Sequence, residues 1–333
     1  MAAKKIVVLF DMSSPPPEDH NYSEFLKAAD WESERAVVKA IKTLGYEAIP
    51  LGVFDDIRQL ISDLKTLAPD LVFNMTEAFN KKRNYEPHIA ALLELLEIPY
   101  TGNRPLALSI CQDKGLSKKI LAHHHIRVPK WVTSKLSRPL RGLRSFHYPA
   151  FVKPVSEEGS EGISRDSFVE NEKDCLERVN FLHERFRSDV IIEEFIPGRE
   201  FYVSVLGFRR PQVLPIRELC FNQFPEDTPK FATFKTKWDE AYRKKWGIRN
   251  EFAQDLSADQ VEQITEISKR SFEFLHLSGC ARLDLRVSET GEIVLLEANP
   301  NPSLSPWDDF AKSSEKAGIS YESMIEKIIE LAS

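Results

Sequence analysis

The apolar positions of this chain fall into two rhythms. Ile6 to Phe10 is a continuous apolar run, the pattern of a buried parallel strand, and Ser33 to Leu44 follows with Val37, Val38, Ile41 and Leu44 at helical spacing before Gly45. The long loop between them is stiffened by Pro15, Pro16 and Pro17. Leu71 to Phe73 is strand-like, and Tyr85 to Glu97 carries one helical stripe of Ile89, Leu92, Leu93 and Leu96. This repetition predicts an open α/β domain over residues 1–105. Lys114 to His123 reads as a helix, and Pro149 to Pro154 and Val190 to Phe195 read as strands, which predicts a second unit over residues 106–195. In the remainder, residues 196–333, Glu200 to Gly207 alternates with period 2, and Val261 to Leu275 is helical with Ile264 and Ile267 inward. Phe221 to Phe252 is polar, aromatic and lysine-rich without a clean period, so it is either disordered or a lid, and the lid is the favoured reading.

Composition narrows the class of partner. At 333 residues the chain exceeds one ordinary core, consistent with two or three units of ~100 to 150 residues. A formal net charge of −6 argues against a binder of nucleic-acid backbone, so a small partner is expected. Cys111, Cys175, Cys220 and Cys280 lie far apart, without the paired spacing of a zinc site or redox dithiol, and are read as reduced thiols. The apolar run at the N-terminus ends at Asp11 without a small-residue cleavage site, and no apolar stretch nears the roughly 18 residues of a membrane span. A cytoplasmic location is the expectation. Arg138, Arg141 and Arg144 are assigned to an exposed loop.

The most informative stretch runs from Arg282-Leu-Asp-Leu-Arg-Val287 through Ser-Glu-Thr-Gly to Glu292-Ile-Val-Leu-Leu-Glu-Ala-Asn299, alternating on both sides of a glycine turn. It predicts a hairpin. With Thr290 and Gly291 as a two-residue turn, Asp284 lies opposite Glu297 and Arg282 opposite Asn299, with Leu283 and Leu285 on the other face. Like charges seldom face each other across strands unless something positive sits between them. Oxygen ligands from Asp284, Glu297 and Asn299 suit Mg²⁺, which shares its remaining sites with substrate phosphates. The alternative is a bulge that shifts the register, with Asp284 paired to Arg282 or Arg286.

Phe151-Val-Lys-Pro-Val-Ser-Glu-Glu-Gly-Ser-Glu-Gly162 places Lys153 at a strand end, followed by a loop whose Gly159, Ser160 and Gly162 amides can approach an anion. Asp113-Lys114 opens a helix, and Ile191-Ile-Glu-Glu-Phe-Ile-Pro-Gly-Arg-Glu200 is a buried strand leading through Pro197 and Gly198 to a second acid. In this order the motifs resemble the D-alanine:D-alanine ligase branch of the ATP-grasp superfamily, from about Leu71 to the C-terminus. The resemblance implies a chain of α/β and α+β class: an ATP-grasp fold with an N-terminal open α/β, Rossmann-like domain and two α+β domains clamping ATP.

It further implies an ATP-dependent carboxylate–amine ligase working through an acyl phosphate. Lys114 and Lys153, with the loop Glu158, Gly159 and Ser160, would hold the ATP phosphates; Glu194, Phe195 and Ile196 would run along adenine, Glu193 would contact the nucleotide edge and Glu200 the ribose. Asp284, Glu297 and Asn299 would bind two Mg²⁺ ions, for which Mn²⁺ would substitute. Arg282 and a backbone N–H near Ser303, in the Pro302 to Leu304 turn, would stabilise the oxyanion. Lys237, or else Lys235, would reach in from the lid, followed by Trp238 where the family commonly has tyrosine. A homodimer is implied by resemblance alone.

Two regions depart from the family pattern. The first loop reads Asp11-Met-Ser-Ser-Pro-Pro-Pro17 instead of a glycine-rich segment, and Glu77 stands where the family has histidine, as a candidate to bind an amine or cation. Asp308 and Asp309 fall near where the family binds the second substrate's carboxylate, which predicts an acceptor other than D-alanine, bearing a positive group. The alternatives to a ligase are an Mg-ATP-binding regulator without ligation, and an ATP-grasp kinase without an amine acceptor.

Overall fold

In the computed structural model, residues 3–138, 140, 143, 146–156, 159–226 and 228–332 are described. Glu158, Arg141 and Arg144 lie outside them. The elements, in chain order, are β1 (Lys5–Asp11), α1 (Glu32–Thr43), β2 (Glu47–Val53), α2 (Ile57–Leu67), β3 (Leu71–Asn74), α3 (Glu86–Leu95), α4 (Pro105–Gln112) and α5 (Lys114–His123). They continue with β4 (Trp131–Ser134), β5 (Ala150–Pro154), β6 (Phe168–Val169), α6 (Glu172–Phe186), β7 (Val190–Glu194), β8 (Arg199–Gly207), β9 (Gln212–Val213) and β10 (Arg217–Phe221). The last are α7 (Phe234–Trp238), α8 (Glu240–Trp246), β11 (Ile248–Phe252), α9 (Ala258–Phe274), β12 (Gly279–Val287), β13 (Ile293–Asn299), α10 (Asp309–Lys316) and α11 (Tyr321–Glu330). Among the described residues no helix is long and apolar enough to cross a membrane.

Three sheets result. The first is parallel, in the order β2-β1-β3, as expected of a strand buried on both faces: Ile6 and Val8 face one core, Val7 and Leu9 the other. The sequence reading passed over β2, which carries Pro50 and Gly52; both are tolerated because β2 is an edge strand. Gly52 is required there, since a Cβ would collide with the Met12 thioether and the Tyr22 ring. One face of this sheet is covered by α1 together with α11, whose Met324, Ile325, Ile328 and Ile329 join Val37 and Ile41 in one core. The C-terminal helix thus closes back onto the N-terminal sheet.

The second sheet is antiparallel, in the order β4-β7-β5-β6, and is backed by Cys175, Val179 and Leu182 of α6. The third has the order β11-β10-β8-β12-β13, with β9 paired to β8. Its β8 is buried along almost its whole length instead of alternating with solvent. Phe201, Val203 and Val205 pack toward Ile264 and Phe272 of α9, while Tyr202 and Leu206 reach apolar clusters on the opposite face. Period 2 survives as a choice between two buried faces. The segment from Phe221 to Phe252 is folded: it forms α7, α8 and β11, and β11 extends the sheet beside β10.

Candidate active site

The floor of the site is the β12–β13 hairpin. Asp284 faces Glu297 and Arg282 faces Asn299, the pairing read from the sequence. The turn differs from the two-residue form: Ser288 N–H donates to Glu292 O and Gly291 N–H to Ser288 O, closing a three-residue loop with Gly291 at φ 84°. Leu285 accordingly pairs with Leu295, and an irregularity that leaves Leu296 unmatched restores the register before Glu297. Arg282 grips Asp284 through Nε (2.7 Å) and Nη2 (2.9 Å), so one of the expected alternatives, the Arg282 pair, coexists with the carboxylate juxtaposition.

Behind the hairpin lies a buried chain of ions. Lys153 of β5 is 3.2 Å from Glu193 and 3.3 Å from Glu297, and Lys118 of α5 is 3.0 Å from Glu193. Lys118 also donates to the Leu296 carbonyl, and Lys114 to the Val155 carbonyl at 3.4 Å. Burial opposes ionisation of Glu297, yet Lys153, Lys114, Lys237 and Lys118 together hold it well below the usual carboxylate range. Burial likewise opposes ionisation of Glu193, but Lys118 and Lys153 keep it low. For Lys153 the two glutamates outweigh burial and raise the ammonium pKa; for Lys118, completely enclosed, burial prevails and lowers it. Lys118 was missed from sequence, although it follows Lys114 by one helical turn and so shares its face.

A cavity lies between the second and third sheets. Apolar walls from Phe151, Ile163, Phe195, Phe231 and Leu296 give way to Lys153, Lys237, Asp284 and Glu297 at its polar end. Glu193, Glu194, Ile196, Ser160 and Glu200 also line it. Glu194 is held by Arg127 and by the Lys130 N–H at 3.1 Å. Glu200 is paired with Arg286 (2.9 Å) and accepts from the Tyr202 hydroxyl (3.1 Å). Arg286, read from the sequence only as an alternative partner of Asp284, serves Glu200 instead and also donates to the carbonyls of Ile196 and Lys230, tying the strand connection and the segment before α7 to β12.

A larger cleft adjoins this cavity across Lys237 and Glu297, which line both. Lys235 is exposed and lines neither. Gly159 and Ser160 take φ of 60° and 64°, bending the loop over the junction, and Trp238 Nε1 donates to the Gly159 carbonyl at 2.9 Å. The cleft is bordered by Lys114, Arg282, Asn299, Ser303, Glu77 and Asp308. Glu77 pairs with Arg83 at 2.8 Å. Asp309 is buried against Arg217 (3.1 Å) and the Asn250 amide (2.8 and 3.0 Å), so its charge is compensated, whereas Asp308 is exposed. The loop carrying Ser303 is anchored to the stretch from β3 to the start of α3 by Asn301, which donates to the Thr76 carbonyl and to Glu86, both at 3.0 Å.

The donor set of the hairpin fits a hard divalent cation: two carboxylates and an amide oxygen on adjacent strands, with both carboxylates lining the cavity. Among the described residues no three His, Cys, Asp or Glu side chains gather as a metal site, so such an ion would need water or substrate oxygens to complete its shell.

Residues 111–330 match the family model described as D-ala D-ala ligase C-terminus. The D-alanine–D-alanine ligase of Gluconobacter oxydans is 28% identical over 301 residues, covering 90% of this chain and 93% of the relative. That of Desulforudis audaxviator is 29% identical over 304 residues, covering 90% and 92%. In fold, the chain resembles the Bacillus anthracis D-alanine–D-alanine ligase complexed with ATP, with a TM-score of 0.76 at 24% identity over 99% of this chain and 97% of that one. The chain therefore belongs to the D-ala D-ala ligase family of ATP-grasp proteins and is an ATP-dependent ligase that joins a carboxylate to an amine.

Proposed function

We propose that the chain activates a small carboxylic acid as an acyl phosphate and passes the acyl group to a small amine, with ATP clamped between the second and third sheets. The observation that carries this reading is the convergence of Lys114, Lys118, Lys153 and Lys237 on Glu297, beside the Asp284–Glu297 pair at the polar end of an apolar-walled cavity. Adenine would lie between Phe151, Phe195, Phe231 and Leu296, the ribose near Glu200, and the phosphates toward Lys114, Lys153, Lys237 and the Gly159–Ser160 amides. Asp284, Glu297 and Asn299 would hold Mg²⁺, replaceable by Mn²⁺, which would supply charge neutralisation for phosphoryl transfer.

A carboxylate resists an amine because oxide is a poor leaving group; phosphorylation converts that oxygen into phosphate. Attack by the amine then places negative charge on the carbonyl oxygen. Arg282, fixed by Asp284, and a backbone N–H of the Ser303 turn are the donors that stabilise this oxyanion, with such donors typically contributing about 3 kcal/mol each. The Trp238–Gly159 contact closes the phosphate loop over the junction and shields the acyl phosphate from water. The domains run 1–105, 106–195 and 196–333 in this reading, and a homodimer in the cytoplasm is its setting.

The test is phosphate release from Mg-ATP across acids and amines offered singly and in pairs. Release should require both partners and should disappear in Asp284→Ala and Glu297→Ala. Release that persists undiminished in both variants would remove the hairpin from the mechanism.

A further inference from the structure

An acid in the first turn of a helix ordinarily faces water and offsets the helix dipole. Glu34, in the first turn of α1, is turned inward: its Oε2 is shut off from solvent and has no hydrogen-bond partner among the described residues. It lines a chamber beside the cleft. The chamber shares Glu77, Asn301, Pro302 and Ser303 with the cleft, so the two adjoin at the Ser303 turn. Its lining is mixed: Phe73, Met75, Leu304 and Ile328 are apolar, whereas Ser33, Asn74 and Thr101 are polar.

The charged groups nearest Glu34 are already engaged, as is the Tyr321 hydroxyl. Asp11 Oδ1 accepts the Glu77 N–H at 2.7 Å, Glu77 itself is paired with Arg83, and Glu32 accepts from Trp307 Nε1 at 2.8 Å. The Tyr321 hydroxyl donates to the Leu304 carbonyl at 2.8 Å. Glu34 therefore stands apart: its Oε2 is unmet among the described residues, and Phe73, Met75, Leu304 and Ile328 line the same chamber. Burial, followed by the charges of Glu77 and Asp11, pushes its carboxyl up to about 7, as befits an acid without its counterion.

We infer that the chamber selects, as the carboxylic acid to be activated, one that carries an ammonium group at the far end of an apolar carbon chain, with that ammonium on Glu34 and the carboxylate at the Ser303 turn. The inference rests on the ligase reading above and adds the chemistry of its first substrate. The methylenes of a basic amino acid or an ω-amino acid match the apolar residues of the lining, and its terminal cation supplies the missing donor to Oε2.

Lysine and norleucine test this directly, because they share the α-ammonium, the carboxylate and most of the carbon chain and differ in the terminal ammonium. Titration calorimetry on the full chain with Mg-AMP-PNP at pH 8, using both enantiomers of lysine, ornithine and norleucine, reads the preference without turnover. A basic amino acid should bind about 10- to 100-fold more tightly than norleucine, the range expected of one charge-assisted hydrogen bond. Glu34→Gln should erase that ratio and leave norleucine unchanged. A wild-type protein without the preference, a preference that survives in Glu34→Gln, or no binding of any of the three would overturn the inference. Mg-AMP-PNP binding, and its weakening in Glu297→Ala, reports separately on the nucleotide site, so failure of the chamber and failure of the ligase site remain distinct.

Discussion

Replacing Lys118 with methionine keeps an unbranched side chain in a fully enclosed site and removes its charge. Glu193 would keep Lys153 at 3.2 Å but lose Lys118 at 3.0 Å, and the Leu296 carbonyl would lose its donor. Breaking a buried ion pair by removing one partner typically costs about 3 to 5 kcal/mol. Because Lys153 still partly neutralises Glu193, a loss near the lower end, about 3 kcal/mol, is expected. Urea denaturation followed by circular dichroism measures it. The companion variant, Lys118→Met with Glu193→Leu, removes the stranded charge as well and should recover at least half of the loss, since apolar replacement of a whole buried pair is often nearly neutral. A single variant that loses under about 1 kcal/mol, or a double variant no more stable than the single, would show that the Lys118–Glu193 pair does not hold the second sheet to the hairpin; either result refutes the reasoning.

Two further outcomes follow from the geometry. Since the folded state raises the Glu34 carboxyl from an ordinary 4.5 to about 7, it binds more protons than the unfolded chain between those values, and stability falls as pH rises through that window. At 1.36 kcal/mol per decade the loss above pH 7 reaches at most about 3 kcal/mol, so Glu34→Gln should match the wild type at pH 4.5 and exceed it at pH 8 in urea melts; equal stabilities at pH 8 would contradict this. Trp238→Phe removes the 2.9 Å bond to the Gly159 carbonyl while keeping an aromatic ring, and a few-fold rise in ATP hydrolysed per amide formed is expected from coupled phosphate and product assays; an unchanged ratio would exclude Trp238 from shielding the acyl phosphate.

The hairpin was legible because alternation is local. Asp284, Glu297, Arg282 and Asn299 had to share a face once the strands paired, and the pairing held even though the turn has three residues, because the irregularity at Leu296 compensates the extra one. Lys118 was equally local, one turn from Lys114, but a lysine on an amphipathic helix looks solvated until the surroundings are known. The same limit applied to β8, whose alternation could not reveal that both of its faces are covered.

From the chain alone, then, came the order of motifs, the strand–helix rhythm of the N-terminal domain and the carboxylate pair on one face of a hairpin, all set by spacing over a few residues. Only the tertiary structure decided which charges are already compensated and which are not. Asp309 finds Arg217, Glu193 finds Lys118, and Glu34 Oε2 finds no donor among the described residues, although all three are simply acidic letters in the sequence. The partners lie 92 and 75 residues away for the first two, and the Glu34 chamber is enclosed by segments as distant as Phe73, Leu304 and Ile328. Electrostatic environment is a sum over neighbours in space, and no period along the chain encodes it.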